Sequence, residues 1–597
     1  MTLIQAPPDT TPSESSDLLQ QLAAIQKEKG NIQSFHTTLS DRYGPRLLGS
    51  ATYAEALKWI AVQLDDAADS IWYHDYGAER YRSWSVERLS GELLSPVYQT
   101  LSLIPRAYCR GTGGEIKGDV LVIDSLSQLR NWEDSLAGKV LLLMHNYRSP
   151  AVEATIQSRR FTDEELQTAA DNPDPNHLVL GYLARRPIRD AIRNQMLRRI
   201  DRASLLDFCR KAGALAILEP SDYPYGILHV DAQGTVPSYF DKNTGQPLPS
   251  FIIANEQAGR IRRLAQAGEK VRVRLQLEVD TTDYPAAHRN LIAEIKGDSE
   301  EYIAIGAHLD SWHAGTGAAD NGAGVAIMVE AFKLLAQLDM PLERSVRLFL
   351  WAGEEQVFRG SASYVADHLG DLYTGARQPE QRQMATYLNL DNGAGRIRGL
   401  YLNGQSRVKE ILEPWLDVFP NDNYLTIQYS NQTDHELFDA LSIPSFQFIQ
   451  DPLQYMQAVH HTSVDVPEYV PIEDLVFNAR YVAFLVAKLA NAKQPLPRKK
   501  WNRPVPSTAG KTLFELAGYP DAKEIYLVGS FNNWNLFGTP MAKTENGWFC
   551  RLNLPPGEYD YKFIIDGYWT ADPATPGDEI YSDGKGHGGL SKKVVAQ

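Results

Sequence analysis

Four short apolar runs punctuate the middle of the chain: Tyr302–Asp310, Ser345–Trp351, Met384–Asp391 and Ser445–Gln450. Between the first two lies a glycine-rich segment ending in Ala319-Asp320-Asn321-Gly322, then an apolar pattern of helical spacing. Short apolar runs flanking a helix predict a β-α-β unit with buried strands. Ligands of open α/β sheets gather beyond the C-terminal ends of such strands. His308, Asp320, Glu355 and Asp391 all fall at strand ends or in the loops that follow, and His460-His461 follow the last run. The set offers histidines and three carboxylates as ligands, with Glu354 left over. Nitrogen and oxygen donors without thiolate suit zinc, and manganese or cobalt less often. A shared carboxylate can bridge two ions about 3.5–4 Å apart.

The rest of the chain changes texture several times. Residues 1–16 are rich in Pro, Ser and Thr and predict disorder. From Asp17 to Asp75 the pattern is helical, and residues 17–90 are expected to form an N-terminal helical part of the catalytic domain. Residues 91–280 carry short β-type runs at Gly118, Gly138 and Ala212. Within them, Ala151–Arg210 is polar, basic and helical in pattern. The catalytic domain is expected over 281–491. A Pro/Lys/Arg-rich linker follows over 492–508. Over 509–597 short strands alternate with turns, which predicts a small β-sandwich.

The motifs His308-Leu-Asp310, Ala319-Asp320-Asn321, Glu354-Glu355, Asn389-Leu-Asp391 and His461-Thr-Ser-Val-Asp465 occur in the order found in the M28 metallopeptidases. At these residues, over roughly Leu39–Asn491, the chain resembles that family, and its Thr433-Asp-His435 and His-His-Thr wording is closest to the carboxypeptidase Q branch. The resemblance implies a co-catalytic dizinc site. His308 and Asp391 would bind one ion, Glu355 and His461 the other, and Asp320 would bridge. It further implies Glu354 as general base and Asp310 as the group orienting the His308 ring. Relatives place a tyrosine where this chain has His460, so His460 and His435 are the candidates for stabilising the oxyanion. The phrases Ala-Gly-Lys-Val, Ala-Gly-Ala and Pro249–Glu256 resemble a protease-associated domain inserted in the peptidase. Gly529-Ser-Phe-Asn-Asn-Trp534, Tyr561-Lys-Phe563 and Asp566-Gly-Tyr-Trp569 resemble glycogen-binding domains of the CBM48/AMPK-β type, which implies Trp534, Lys562 and Trp569 as sugar contacts. The fold class is then α/β: a zinc-peptidase mixed sheet flanked by helices, an α+β insert, and an immunoglobulin-like C-terminal sandwich.

Composition narrows the function classes. At 597 residues the chain exceeds one core and predicts several domains. A net charge of −15 argues against nucleic acid as a partner. Three widely spaced cysteines form no disulfide framework or CxxC zinc site. No run reaches the length of a membrane span. The N-terminus lacks a basic region followed by an apolar core, so the expected location is cytoplasmic, or secreted or periplasmic for a truncated start. The reading is a metallo-exopeptidase of small peptides, with α-glucan as a second partner and a homodimer left open. Two alternatives stand beside it: an inactive peptidase scaffold that binds glucan or proteins, and an amidohydrolase or deacetylase acting on amino sugars.

Overall fold

The computed structural model describes residues 12–125, 129, 135–144, 147, 156–175, 177, 179–180, 202–230, 242, 246, 248–356, 358–372, 376–430, 432–499, 505–532, 539–566, 568–574, 580–582 and 589–595. Its centre is an eight-stranded mixed sheet. The strands are β1 (Ser70–Asp75), β2 (Arg289–Ile295), β3 (Tyr302–His308), β4 (Ser345–Trp351), β5 (Met384–Asn389), β6 (Ile397–Tyr401), β7 (Tyr424–Thr426) and β8 (Ser445–Gln450). Their spatial order is β1-β2-β4-β3-β5-β8-β6-β7. The four inner strands β4, β3, β5 and β8 run parallel to one another. The outer pairs β1–β2, β2–β4 and β8–β6 are antiparallel.

The apolar runs read from sequence are these four parallel strands. Strands covered on both faces read as continuous apolar runs, and every residue of β3, β5 and β8 is buried. Helices α1 (Ala323–Ala336) and α2 (Ile472–Ala490) pack against each other and against the sheet. Their Val325, Met328, Val482 and Phe484 are buried with Ile303 and Ile305 of β3. Each such side chain contributes about 1.5–3 kcal/mol by leaving water. In the β3–β4 register His308 lies opposite Trp351, so the two strands end level and their exit loops open on one edge.

Two expectations about the N-terminal part are corrected. Ser70–Asp75, expected to be helical, is β1 and closes one edge of the sheet. The helical pattern of 17–75 stops at Leu64, where the helix Ala51–Leu64 ends. The Trp-Tyr-His alternation at 72–74 instead gives the half-buried face of an edge strand. The first helix spans Pro12–Lys29, so helix reaches into the stretch expected to be disordered. Residues 1–11 lie outside the described residues.

A second eight-stranded mixed sheet takes Ser85–Ser95, Leu103–Pro105, Ile116–Ile123, Lys139–Leu143, Ala216–Pro220, Ser250–Ile253 and Arg272–Asp280, with Gln99–Thr100 at its edge. This sheet is the inserted domain. It starts at Ser85, inside the stretch read as helical. Of the insertion at 151–210, the described residues include the helices Asp163–Asp171 and Arg202–Lys211.

The C-terminal module is a β-sandwich. One sheet holds Thr512–Ala517, Gly547–Leu552 and Ala542–Lys543; the other holds Ile525–Gly529, Gly557–Ile565, Ile580–Ser582 and Gly589–Val595, with Tyr568–Thr570 at its side. Phe514, Leu516, Ile525, Leu527, Trp548 and Phe563 fill the space between them. Two residues of the stretch read as a linker fasten it to the catalytic domain. Arg498 donates to the carbonyls of Gln381, Arg382 and Met384 at 3.0, 3.0 and 2.7 Å, and Lys499 pairs with Asp439 at 2.7 Å.

The module is docked as well. Tyr526, Val528 and Ile564 alternate with the sandwich-filling residues of their strands, so they face outward. They join the buried apolar cluster of Phe349, Trp351 and Phe438.

Candidate metal centre

Four of the five candidate ligands arrive from different parallel strands. His308 is the last residue of β3, Asp391 lies two residues past β5, Glu355 lies four past β4, and His461 lies in the loop after β8. Asp320 sits in the turn before α1, and its peptide bond to Asn321 is cis. Asn321 ties that turn to the exit of β5, donating from Nδ2 to the Leu390 carbonyl at 2.8 Å and accepting from Gly324 N at 3.1 Å.

Asp320 divides its two oxygens between two histidines. Oδ1 is 3.3 Å from His308 Nε2, and Oδ2 is 3.4 Å from His461 Nε2. His308 Nε2 is also 3.1 Å from Asp391 Oδ1, and His461 Nε2 is 2.9 Å from Glu355 Oε2. Two three-ligand clusters result among the described residues: His308, Asp320 and Asp391 in one, Asp320, His460 and His461 in the other. All five residues expected as ligands therefore meet. His460 joins them, with Nε2 3.8 Å from Asp320 Oδ2 and its ring stacked on His461 at 3.6 Å. Its nearness to Asp320 makes it a further ligand-capable group at the His461 side, besides the oxyanion donor expected from sequence.

The residues fit divalent cations. Burial pushes Glu355 well above the usual carboxylate range, and neighbouring Asp320 adds to the shift. Burial and nearby Asp320 likewise raise Asp391 to about 6, against the pull of His308. Burial opposes charge on His308, yet Asp391, Asp310 and Asp320 overcome it and hold the ring's pKa well above normal. Glu355 Oε1 is buried without a hydrogen-bond partner. An excess of buried carboxylate with an orphaned oxygen is what bound cations would neutralise. Tetrahedral nitrogen and oxygen donor sets without sulfur are those of zinc hydrolases.

Supporting groups fix the ligands. His308 Nδ1 donates to the backbone carbonyl of Asp310 at 2.9 Å, which leaves Nε2 for a ligand. The Asp310 carboxylate, expected to orient that ring, stands 3.6 Å from Nδ1. It accepts instead from the backbone N–H groups of Glu354 and Glu355 at 3.2 and 3.3 Å. Asp465 accepts from Ala319 N at 2.6 Å and Asp320 N at 3.2 Å, joining the His461 loop to the Asp320 turn. Burial, then Asp320, raises Asp465 to about 8.

Glu354 remains partly exposed where Glu355 is buried. Burial raises its pKa well above normal, with Asp391, Asp434 and Glu355 adding and His308 opposing. A carboxylate poised upward and still partly exposed suits a general base.

His435 is corrected. It is fully buried, and both ring nitrogens are engaged, Nδ1 with Thr433 Oγ1 at 2.6 Å and Nε2 with the Ser430 carbonyl at 3.0 Å. Burial drives its pKa down to about 3, so it stays neutral and fastens its own turn. That turn presents Asp434, which the sequence reading passed over although it stands inside the quoted Thr433-Asp434-His435. Asp434 accepts from Ser361 Oγ, and burial with Asp391 and Asp310 nearby raises it to about 7. Tyr455 was also missed. Its hydroxyl bonds the Asp320 carboxylate, and its ring lies 5.2 Å from His460.

The expected sugar contacts fare differently. Trp534 lies outside the described residues, as does the side chain of Trp569. Lys562 pairs across strands with Val528 and so shares the outward face that docks on the catalytic domain. It is fully buried, and in this arrangement it does not present itself to a sugar.

A buried cluster of His, Asp and Glu at the C-terminal edge of a mixed α/β sheet is an arrangement that could hold metal ions. The comparisons place it more narrowly. Residues 290–486 match the model of peptidase family M28, and residues 512–587 match the glycogen recognition site of AMP-activated protein kinase. Carboxypeptidase Q of Mus musculus is 25% identical over 470 residues, 77% of this chain and 86% of that protein. The β-1 subunit of 5'-AMP-activated protein kinase of Rattus norvegicus is 44% identical over 75 residues, 13% of this chain and 26% of that protein. The solved structure of a peptidase M28 precursor from Shewanella amazonensis SB2B shares the fold, with a TM-score of 0.57 at 23% identity, covering 82% of this chain and all of that one. The chain thus holds a region that matches peptidase family M28 and is similar to carboxypeptidase Q, followed by a region that matches the glycogen recognition site of AMP-activated protein kinase.

Proposed function

We propose that the protein is a co-catalytic dizinc exopeptidase of small peptides. The observation that carries this reading is the split of the Asp320 carboxylate between His308 with Asp391 and His461 with Glu355. His308 and Asp391 would hold one ion, Glu355 and His461 the other, and Asp320 both. When bound, such ions acidify a water and polarise the scissile carbonyl. Glu354 takes the proton of the attacking water and returns it to the leaving amine. Its raised pKa suits both halves of that transfer. Asp310 holds the Glu354-Glu355 backbone at the fixed distance this demands. His460, beside Asp320, is placed to donate to the tetrahedral oxyanion.

The module over 509–597 is read as the glucan-binding part, with Trp534 and Trp569 as its aromatic contacts. Hydrolysis of a dipeptide panel with either the amino or the carboxyl end blocked tests the peptidase reading. Loss of turnover on blocking one end, and not the other, identifies which terminus is removed. Turnover of doubly blocked peptides, or of N-acetyl amino sugars in their place, rejects the exopeptidase.

A further inference from the structure

Among the described residues, a segment of the inserted domain reaches the metal centre at His461. Strand Ala216–Pro220 lies inside the second sheet, and the chain leaves it as Ser221–Val230. The segment is anchored at its root. Asn255 Nδ2 donates to the Ser221 carbonyl at 2.9 Å, and Ser221 Oγ donates to the Ile227 carbonyl at 2.6 Å. Its far end lies along residues 461–463 as a short antiparallel bridge centred on His229 and Thr462. Val230 N donates to the His461 carbonyl at 2.9 Å, and Ser463 N donates to the Leu228 carbonyl at 2.8 Å. Leu228 N donates to Ser463 Oγ at 3.0 Å. Below the bridge Tyr223 and Ile227 pack with Ala458.

This bridge grips His461 where its backbone most needs holding. His461 has φ of +59°, in the left-handed region that favours glycine. Such a conformation persists only when its surroundings over-determine it. Within its own loop, His461 follows His460 inside a turn closed by Thr462 N on Val459 O at 3.0 Å. The bond to its own carbonyl comes from Val230, about 230 residues earlier in the chain. The His461 ring is bracketed by His229, near-parallel at 6.3 Å, and by Trp312 at 5.9 Å.

We infer that Leu228–Val230 of the inserted domain is a positioning clamp for His461, so that the insert sets the affinity of the ion held by His461 and Glu355 while leaving the His308–Asp391 ion to the catalytic domain alone. The inference rests on reading His461 as a metal ligand. Groups that hold a ligand in place typically change metal affinity by about 10–100-fold when removed.

Full-length Ser463→Ala and Val230→Pro each remove one bond of the bridge. Zinc is titrated into metal-stripped protein and counted at graded free concentration, with folding followed by circular dichroism and melting. Wild type is expected to take up two ions. In each variant one ion keeps its wild-type affinity and the other weakens about 10–100-fold, while Ser463→Thr, which keeps the hydroxyl, restores it. If Val230→Pro does not fold, Ser463→Ala decides. Folded variants that bind both ions as wild type does, or that lose both equally, overturn the clamp. Wild type that binds fewer than two ions fails the dimetal reading itself, before any variant is compared.

Discussion

The Asp310 carboxylate grips the backbone of Glu355, accepting its N–H at 3.3 Å while its other oxygen accepts that of Glu354 at 3.2 Å. One acid two residues after His308 thus sets the loop that carries both a proposed ligand, Glu355, and the proposed base. Asp310→Ala is expected to weaken zinc binding about 10–100-fold and to lower turnover with it. Unchanged affinity in a zinc titration would show that the loop holds itself.

Asp320→Ala should release both ions, because its carboxylate lies between the two histidine groups. Metal counting on dialysed protein checks it. A variant that keeps one ion denies the bridge.

Glu354→Gln should keep the metals and lose turnover about 10²–10⁴-fold. Glu355→Gln should lose metal first, since Glu355 touches His461 at 2.9 Å. The reverse pattern exchanges their roles.

His288 is buried, and burial lowers its pKa to about 4. The unfolded chain binds this proton near pH 6.5 and the folded one only near 4, so folding stability is lost as pH falls between them. A shift of that size corresponds to roughly 3 kcal/mol at most. His288→Leu should therefore lose less stability than wild type between pH 7 and 4 in denaturant titrations. Parallel pH profiles refute the assignment, and the comparison cancels the buried carboxylates that titrate in both proteins.

The sandwich follows a stretch read as a linker, yet its Tyr526, Val528 and Ile564 are packed on the catalytic domain. Starch or glycogen pull-down should retain wild type and release the Trp534→Ala, Trp569→Ala double mutant. Lys562→Ala, at a fully buried position, should lower the melting temperature by several degrees, as a loss of about 1 kcal/mol does. A Lys562→Ala variant of unchanged melting that loses retention restores Lys562 as a sugar contact.

The sequence by itself determined the four parallel strands, because strands covered on both faces need uninterrupted apolar runs, and it determined which polar residues follow each strand end. His308, Asp320, Glu355, Asp391 and His461 could be listed from that pattern. Tertiary structure decided what periodicity does not encode. β1 was hidden because an edge strand buries only one face, and Ser70–Asp75 is too short to outweigh the helix before it. His435 and Lys562 were misjudged because burial is a property of what packs on a residue, and no local signal shows both nitrogens of His435 engaged or the Lys562 face covered. The grip of Leu228–Val230 on His461 is made of backbone bonds across about 230 residues. Backbone donors and acceptors are the same in every residue but proline, so only the folded chain shows which of them meet.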